Sequence, residues 1–285
     1  MLVCYTKHEL RNALAGLRAK GAVGLVPTMG YLHAGHMALV TRARAENEVV
    51  AASIFVNPTQ FGANEDLSTY PRDIEQDLQK LRDAGVDVVF TPTVDEVYLP
   101  DADTHVKTGY LSRVLIGRIR PVHFGGVATV VTKLFNIFQP DRAYFGCKDY
   151  QQLTVIKKMV ADLDIPVKVI GVPTVREADG LALSSRNVRL TPKNRAAAPV
   201  LCKSLDLAEV LVAGGGATVH SVKKEILDLL AGMPCGVVES VDIRDAETLA
   251  PMRGRIVSAV VILLAVRFES VLLIDQRVVT PPNNR

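Results

Sequence analysis

His33 and His36 stand three residues apart in Pro27-Thr28-Met29-Gly30-Tyr31-Leu32-His33-Ala34-Gly35-His36. Imidazole donates hydrogen bonds and can gain charge near neutral pH, so such a pair suits negative charge on phosphate oxygens. Two other readings of the pair stand beside that one. The histidines could cap a helix, or form half of a zinc site, although no third ligand follows at helical spacing and there is no HExxH pattern. The flanking residues supply context. Ala22-Val23-Gly24-Leu25-Val26 is a buried-strand pattern, and Met37 to Glu46 carries Met37, Val40 and Ala43 at helical spacing. The pair therefore falls at a strand-to-helix junction, where an open α/β sheet places its ligands. A helix start offers unpaired N–H groups and a positive dipole end. Gly30 and Gly35 permit close approach of the main chain.

The elements that must hold this junction alternate along the first half of the chain. A helix is expected over Lys7 to Lys20, strands over Val49 to Phe55 and Val86 to Phe90, and a helix over Asp73 to Asp83. Asp101 to Pro121 reads as a surface excursion. A buried helix over Gly125 to Phe138, a strand at Arg142 to Phe145, a helix through Val160 and a strand at Val167 to Gly171 follow. This order predicts a parallel sheet with crossover helices. Past Pro173 the pattern changes to a polar loop, helices over Pro192 to Val212 and Thr218 to Leu230, and strands at Val237 to Ile243, Ile256 to Val266 and Val271 to Ile274. The expected organisation is an α/β domain over residues 1–174 and a smaller α+β domain over residues 175–285.

Composition removes several classes of function. The net charge of +3 comes without any Lys/Arg block, which argues against nucleic acid. The longest apolar run, Ile256 to Val266, is far short of the roughly 20 residues that span a bilayer, so no membrane association is expected. The four cysteines, Cys4, Cys147, Cys202 and Cys235, make no CxxC pair and read as reduced thiols of a cytoplasmic protein without a signal peptide.

Four polar stretches lie at or near predicted strand ends: the histidine turn, Asn57 to Gln60, Gly146 to Gln152 and Leu183 to Arg186. Together they are rich in phosphate-binding groups and hold no nucleophile with a base beside it, which suits nucleotidyl or phosphoryl transfer. Pro27-Thr28-Met29-Gly30 with His33 and Gly35-His36, Ser53 to Phe61, Lys148-Asp149-Tyr150-Gln151-Gln152, and Arg176-Glu177-Ala178-Asp179-Gly180-Leu181-Ala182 with Ser184-Ser185-Arg186-Asn187 resemble the pantoate–β-alanine ligases, a family of HIGH-motif nucleotidyltransferases. The match runs in family order over roughly the first two thirds of the chain.

The resemblance implies a Rossmann-like N-terminal domain, a C-terminal lid domain, and a homodimer. It implies ATP as substrate, with Mg2+, and formation of pantoyl adenylate from pantoate before β-alanine attacks. It assigns His36, His33, Lys148 and Arg186 to catalysis, with no metal-ligating side chain. It assigns the ATP site to Met29, Gly30, His33, His36, Gly146, Cys147, Lys148, Asp149, Val175, Leu183, Ser184, Ser185 and Arg186. Gln60 and Gln152 match pantoate-binding positions, Gln60 also a β-alanine contact, and Asn57 and Val131 are placed in the same pocket. The chain departs from the family pattern in places. Cys147 and Ile116 stand at usual glutamates, Leu183 at a frequent methionine, Val122 at a usual glycine and Gln276 at an asparagine. These departures keep open a catalytically impaired nucleotide-binding homologue, or an adenylyltransferase acting on another acid.

Overall fold

The computed structural model describes residues 1–63, 65 and 67–282; the last residues of the expected second domain, 283–285, lie outside the described residues. In chain order the first part contains β1 (Leu2–Cys4), α1 (Lys7–Leu17), β2 (Val23–Thr28), α2 (Ala34–Glu46), β3 (Val49–Ile54), α3 (Ile74–Asp83), β4 (Val88–Phe90), the single turns α4 (Val94–Val97) and α5 (Ile116–Ile119), α6 (His123–Phe138), β5 (Arg142–Gly146), α7 (Tyr150–Asp162) and β6 (Lys168–Val172). The strands form one six-stranded sheet in the order β1-β4-β3-β2-β5-β6, and every neighbouring pair is parallel. The order reverses between β2 and β5, so this is a doubly wound α/β sheet, and its switch point lies at the ends of those two strands.

Alternation along the strands covers both faces of the sheet. Val23, Leu25, Val49, Ala51, Val88, Phe90, Ala143 and Phe145 point into one core, with Leu10 and Leu14 of α1, the apolar side of α6, and Ile156 of α7. Their neighbours Val26, Val50, Ala52, Val89 and Tyr144 point into the other, with Leu39, Val40 and Ala43 of α2 and Leu81 of α3. Near-continuous apolar strands are what a parallel sheet buried on both sides requires.

Side-chain carboxylates occupy the N-terminal edge of this sheet. Asp141 accepts the Val23 N–H (2.7 Å), Asp87 the Val50 N–H (2.8 Å) and Glu48 the Ala22 N–H (2.9 Å). Beside them Asn47 donates to the Ala43 carbonyl and the Tyr144 hydroxyl, both at 2.7 Å. The Tyr144 hydroxyl in turn donates to Glu46 (2.9 Å), and burial of the phenol, first among several causes, pushes it up to about 12.

Several expected elements differ in detail. β1 was not expected, because three residues are too few to show alternation. The Asp101 to Pro121 excursion is exposed at its start, but Ser112, Val114, Leu115 and Gly117 are buried. Gln151 pins that part, donating to the Leu111 and Val114 carbonyls (both 2.8 Å) and accepting from the Ile116 N–H (3.1 Å).

Thr174 to the C-terminus, together with Lys148–Tyr150, forms the second compact unit. It contains α8 (Pro192–Ala197), α9 (Val200–Ala213), α10 (Val219–Ala231) and the antiparallel sheet β7 (Val237–Asp245), β8 (Val260–Phe268), β9 (Val271–Val279). Leu201, Leu205, Ala208, Val222, Ile226 and Leu230 of the long helices pack on the apolar side of that sheet. The single helix expected over Pro192 to Val212 is broken at Pro199, whose missing N–H and ring cannot continue the i→i−4 ladder.

Gly24 in β2 is a tight point on the Tyr144 face of the sheet: a Cβ there would stand 2.4 Å from the Asn47 Nδ2 and 3.2 Å from the Tyr144 ring. Gly24→Ala is expected to lower stability by about 1–3 kcal/mol, the usual range for overpacking. Urea denaturation checks this, and an unchanged midpoint would show that Asn47 moves aside without cost.

Candidate active site

The turn that leaves β2 is built against its own strain. Gly30 has φ 85° and Tyr31 φ 53°, a left-handed pair that is costly at the tyrosine. Asp77 of α3, 1 % exposed, offsets this by accepting two consecutive N–H groups, Tyr31 at 2.6 Å and Leu32 at 2.7 Å. Lys80, one turn further along α3, donates to the Leu32 carbonyl (2.7 Å). A Cβ on Gly30 would come within 3.0 Å of the Asp77 carboxylate and of Ile54. Thr28 completes the frame, donating to the Ser53 carbonyl (2.7 Å) and accepting the Gly30 N–H (3.2 Å).

This turn delivers the histidines. His33 is the N-cap of α2, so the helix begins three residues before the expected Met37. The His33 Nδ1 accepts the Gly35 N–H (3.1 Å), and the His36 Nδ1 accepts the His33 N–H (3.3 Å). Both δ nitrogens are acceptors, so in the neutral rings the proton sits on Nε2, which is then a donor. The rings lie 4.1 Å apart. Capping and phosphate chemistry are therefore not rival readings: the cap sets the tautomer that a phosphate needs. Among the described residues no group of three or more His, Cys, Asp or Glu side chains is arranged to hold a metal ion.

The second strand flanking the switch point, β5, ends in Gly146 and Cys147. An added Cβ on Gly146 would meet nothing within 4 Å, so the main chain there is open. The Cys147 thiol packs toward the core, 3.0 Å from where a Gly171 Cβ would stand, and burial pushes its pKa up. Any nucleotide contact at Cys147 is thus by main chain. Val131 is 4 % exposed in the core of α6, and Gln152 is half-buried next to the structural Gln151.

Beyond β3, Met29, Asn57 and Gln60 come together. The Gln60 Nε2 reaches the Met29 sulfur (3.3 Å), and Asn57 donates to the Gln60 Oε1 (3.1 Å). The Gln60 main-chain carbonyl accepts from the His123 Nδ1 (3.2 Å) and from Arg120 (3.4 Å), and Arg120 is paired with Glu65. Arg120, His123 and Glu65 were not singled out as site residues; the Arg-Pro…His-Phe pattern of 120–124 was the signal available.

The second unit holds Lys148, Asp149, Val175, Leu183, Ser184, Ser185 and Arg186. Here the Leu183 N–H donates to the Val175 carbonyl (3.0 Å), closing the stem of the loop. Arg176 grips the buried Asp275 with both terminal nitrogens (2.6 and 2.9 Å). Arg195 bridges Glu177 (2.7 Å) and Asp179 (2.6 Å), and Asn187 donates to the Ala182 carbonyl (3.1 Å). The Ser184 hydroxyl accepts the Arg186 N–H (3.2 Å) at the tip. Bidentate arginine pairs of this kind fix planar geometry, so the Ser-Ser-Arg tip stands on a rigid stem.

A doubly wound sheet with a capped histidine pair at its switch point defines a nucleotide-handling enzyme class. The family model for pantoate-beta-alanine ligase matches residues 2–278. A pantothenate synthetase of Sinorhizobium medicae is 57 % identical over 98 % of this chain and 97 % of its own, and one of Bartonella henselae is 49 % identical over 97 % and 98 %. The crystal structure of a Thermus thermophilus pantothenate synthetase superposes with a TM-score of 0.93 at 48 % identity, covering 99 % of this chain and 100 % of that one. A Francisella tularensis pantoate-beta-alanine ligase, complexed with beta-gamma ATP and beta-alanine, superposes with a TM-score of 0.80 at 33 % identity and 97 % coverage of each chain. The chain belongs to the pantoate–β-alanine ligase family. It is an enzyme, a ligase of pantoate and β-alanine.

Asp77→Asn tests the turn. The amide keeps the size but must turn its NH2 toward one of two N–H donors, so stability should fall by about 1–3 kcal/mol and ligation should slow with it. Denaturation and a turnover assay check both, and a variant unchanged in each would remove Asp77 from the support of the histidines.

Proposed function

We propose that this ligase works through an acyl adenylate formed at the histidine turn. A carboxylate oxygen of pantoate attacks the α-phosphorus of ATP, the bond to the bridging oxygen breaks, and pyrophosphate leaves. The amine of β-alanine then attacks the acyl carbon, loses a proton, and expels AMP to give the amide. The observation that carries this reading is the tautomer of the two rings. The His33 and His36 δ nitrogens are held by main-chain N–H groups, so the ε nitrogens are donors at a helix N-terminus, where charge develops on the α-phosphate and its leaving group.

The remaining groups divide between the substrates. Met29, Gly30, Gly146 and the Cys147 main chain line the nucleotide, Asp149 takes the ribose, and Val175 and Leu183 complete the ATP site. Lys148 places a fixed charge on the phosphates, and Ser184, Ser185 and Arg186 hold the pyrophosphate from their braced stem. Gln60 and Gln152 bind pantoate, Gln60 also meeting β-alanine, with Val131 behind them as apolar support. Magnesium would accompany ATP and supply charge neutralisation on its phosphates. The enzyme acts as a homodimer in the cytoplasm, an assignment supported by the family to which it belongs; among the described residues no helix is long and apolar enough to cross a membrane. Whole-length relatives bearing the ligase name favour this reading over a silent nucleotide binder.

Pantoate-dependent exchange of labelled pyrophosphate into ATP, without β-alanine, isolates the first step. The exchange should require pantoate, and His36→Ala should reduce it by about a hundredfold, the usual cost of a lost transition-state donor. Exchange at the normal rate in that variant would end the role of His36.

A further inference from the structure

Four contacts fix which end of Gln60 faces the acid substrate. The turn at Pro58–Gln60 lies directly on α6: a Cβ on Gly126 would stand 2.4 Å from the Thr59 carbonyl oxygen and 2.5 Å from the Gln60 nitrogen. This approach brings the Gly126 carbonyl oxygen to 3.2 Å from the Asn57 side-chain Nδ2. A main-chain carbonyl can only accept, so the Asn57 amide cannot be turned the other way without setting two oxygens against each other. Its Oδ1 is committed too, accepting from the Tyr98 hydroxyl (2.8 Å) and the Thr59 hydroxyl (3.0 Å). The second N–H of Asn57 goes to the Gln60 Oε1 (3.1 Å). Two amide NH2 groups cannot face one another, so Gln60 turns its oxygen to Asn57 and its NH2 away. Among the described residues that NH2 meets only the Met29 sulfur (3.3 Å), a weak acceptor readily exchanged for a better one. Asn57 is 1 % and Gln60 7 % exposed, so bulk water does not scramble the arrangement.

All the hydrogen-bonding capacity of the Asn57 side chain is therefore spent on protein groups. It does not bind substrate, as its place in the expected pocket suggested, but orients the residue that does. We infer that Gln60 is a dedicated donor toward an oxygen acceptor of the acid substrate, with Asn57 and the Gly126 carbonyl as its positioning groups; this rests on Gln60 being an acid-binding residue, as proposed above. The consequence is polarity discrimination. A carboxylate or an ether-like lone pair is accepted at this point, while a ligand presenting N–H there meets an NH2 that cannot turn over.

The test compares Asn57→Asp with Asn57→Ala. The aspartate is isosteric but sets an oxygen against the Gly126 carbonyl, so a merely structural role shows as lost stability with both KM values moved alike. Donor orientation predicts a loss centred on pantoate and larger than that of alanine, because a carboxylate beside Gln60 attracts the NH2 and leaves the Gln60 oxygen facing the substrate, whereas alanine lets the amide choose. Asn57→Asp should raise the KM for pantoate by about 10- to 100-fold, the worth of a hydrogen bond to a charged group, with less change in Asn57→Ala. The KM for ATP should change by less than that for pantoate in both, since only Met29, which Gln60 touches, links the two sites. If Asn57→Asp does not fold, Gln60→Glu against Gln60→Ala carries the same test: acceptor for donor at constant size should cost more than truncation. Asn57→Ala worse than Asn57→Asp, or Gln60→Ala worse than Gln60→Glu, overturns the donor assignment. A normal KM for pantoate in Gln60→Ala overturns instead the acid-binding reading on which it rests.

Discussion

The carboxylate of Asp77 is the constraint on which the first unit's chemistry depends. It sits on α3, one helix away from the histidines of α2. By accepting the Tyr31 and Leu32 N–H groups it holds a left-handed turn that the tyrosine would otherwise avoid. The position of that turn decides where α2 starts, and the start of α2 decides which nitrogen of each imidazole carries its proton. Three levels follow from one buried carboxylate: a backbone conformation, a helix N-terminus, and the tautomer of two imidazoles. Lys80 on the same side of α3 holds the opposite pole of the turn, so one helix grips both a donor and an acceptor side of it.

The two edges of the parallel sheet are used differently. At the N-terminal edge Asp87, Asp141 and Glu48 satisfy the first main-chain donors of β2 and β3. At the C-terminal edge the strands run into Met29, Asn57 and Gly146, where Asn57 is spent on protein groups and turns the Gln60 NH2 toward the Met29 sulfur. Burial without satisfaction is costly, so both edges pair their buried donors, the first of them with carboxylates. In the second unit the same economy holds at smaller scale: Arg176 and Arg195 pair with the stem acids Asp275, Glu177 and Asp179.

Much of this could be read from residue order. The alternation of apolar strands and amphipathic helices carries the doubly wound sheet, because each element's periodicity is local. The histidine turn was recognisable from its own residue types. What escaped shares one property: it depends on partners distant in sequence. Asp77 looks like any acid in the first turn of an exposed helix, since the N–H donors it accepts from lie 46 and 45 residues earlier. Gln151 and Gln152 are indistinguishable in a Gln-Gln pair until the carbonyls of Leu111 and Val114 choose the first for structure. Cys147 raised the question of a missing carboxylate, and its side chain lies against the core instead. Pro199 is an exception, a break visible in the sequence but outweighed by the apolar periodicity around it.

Gly126 illustrates how selection would see this molecule. It lies within α6 and would pass in a survey of helices for a poor helix former worth replacing. Yet it admits the main chain of the Pro58–Gln60 turn, and its carbonyl sets the Asn57 amide, which in turn sets that of Gln60. In a population of variants, loss at this position would be counted among failures of recognition rather than of folding alone. The genetic footprint of the acid pocket is therefore wider than its lining, and it extends into the buried face of a core helix.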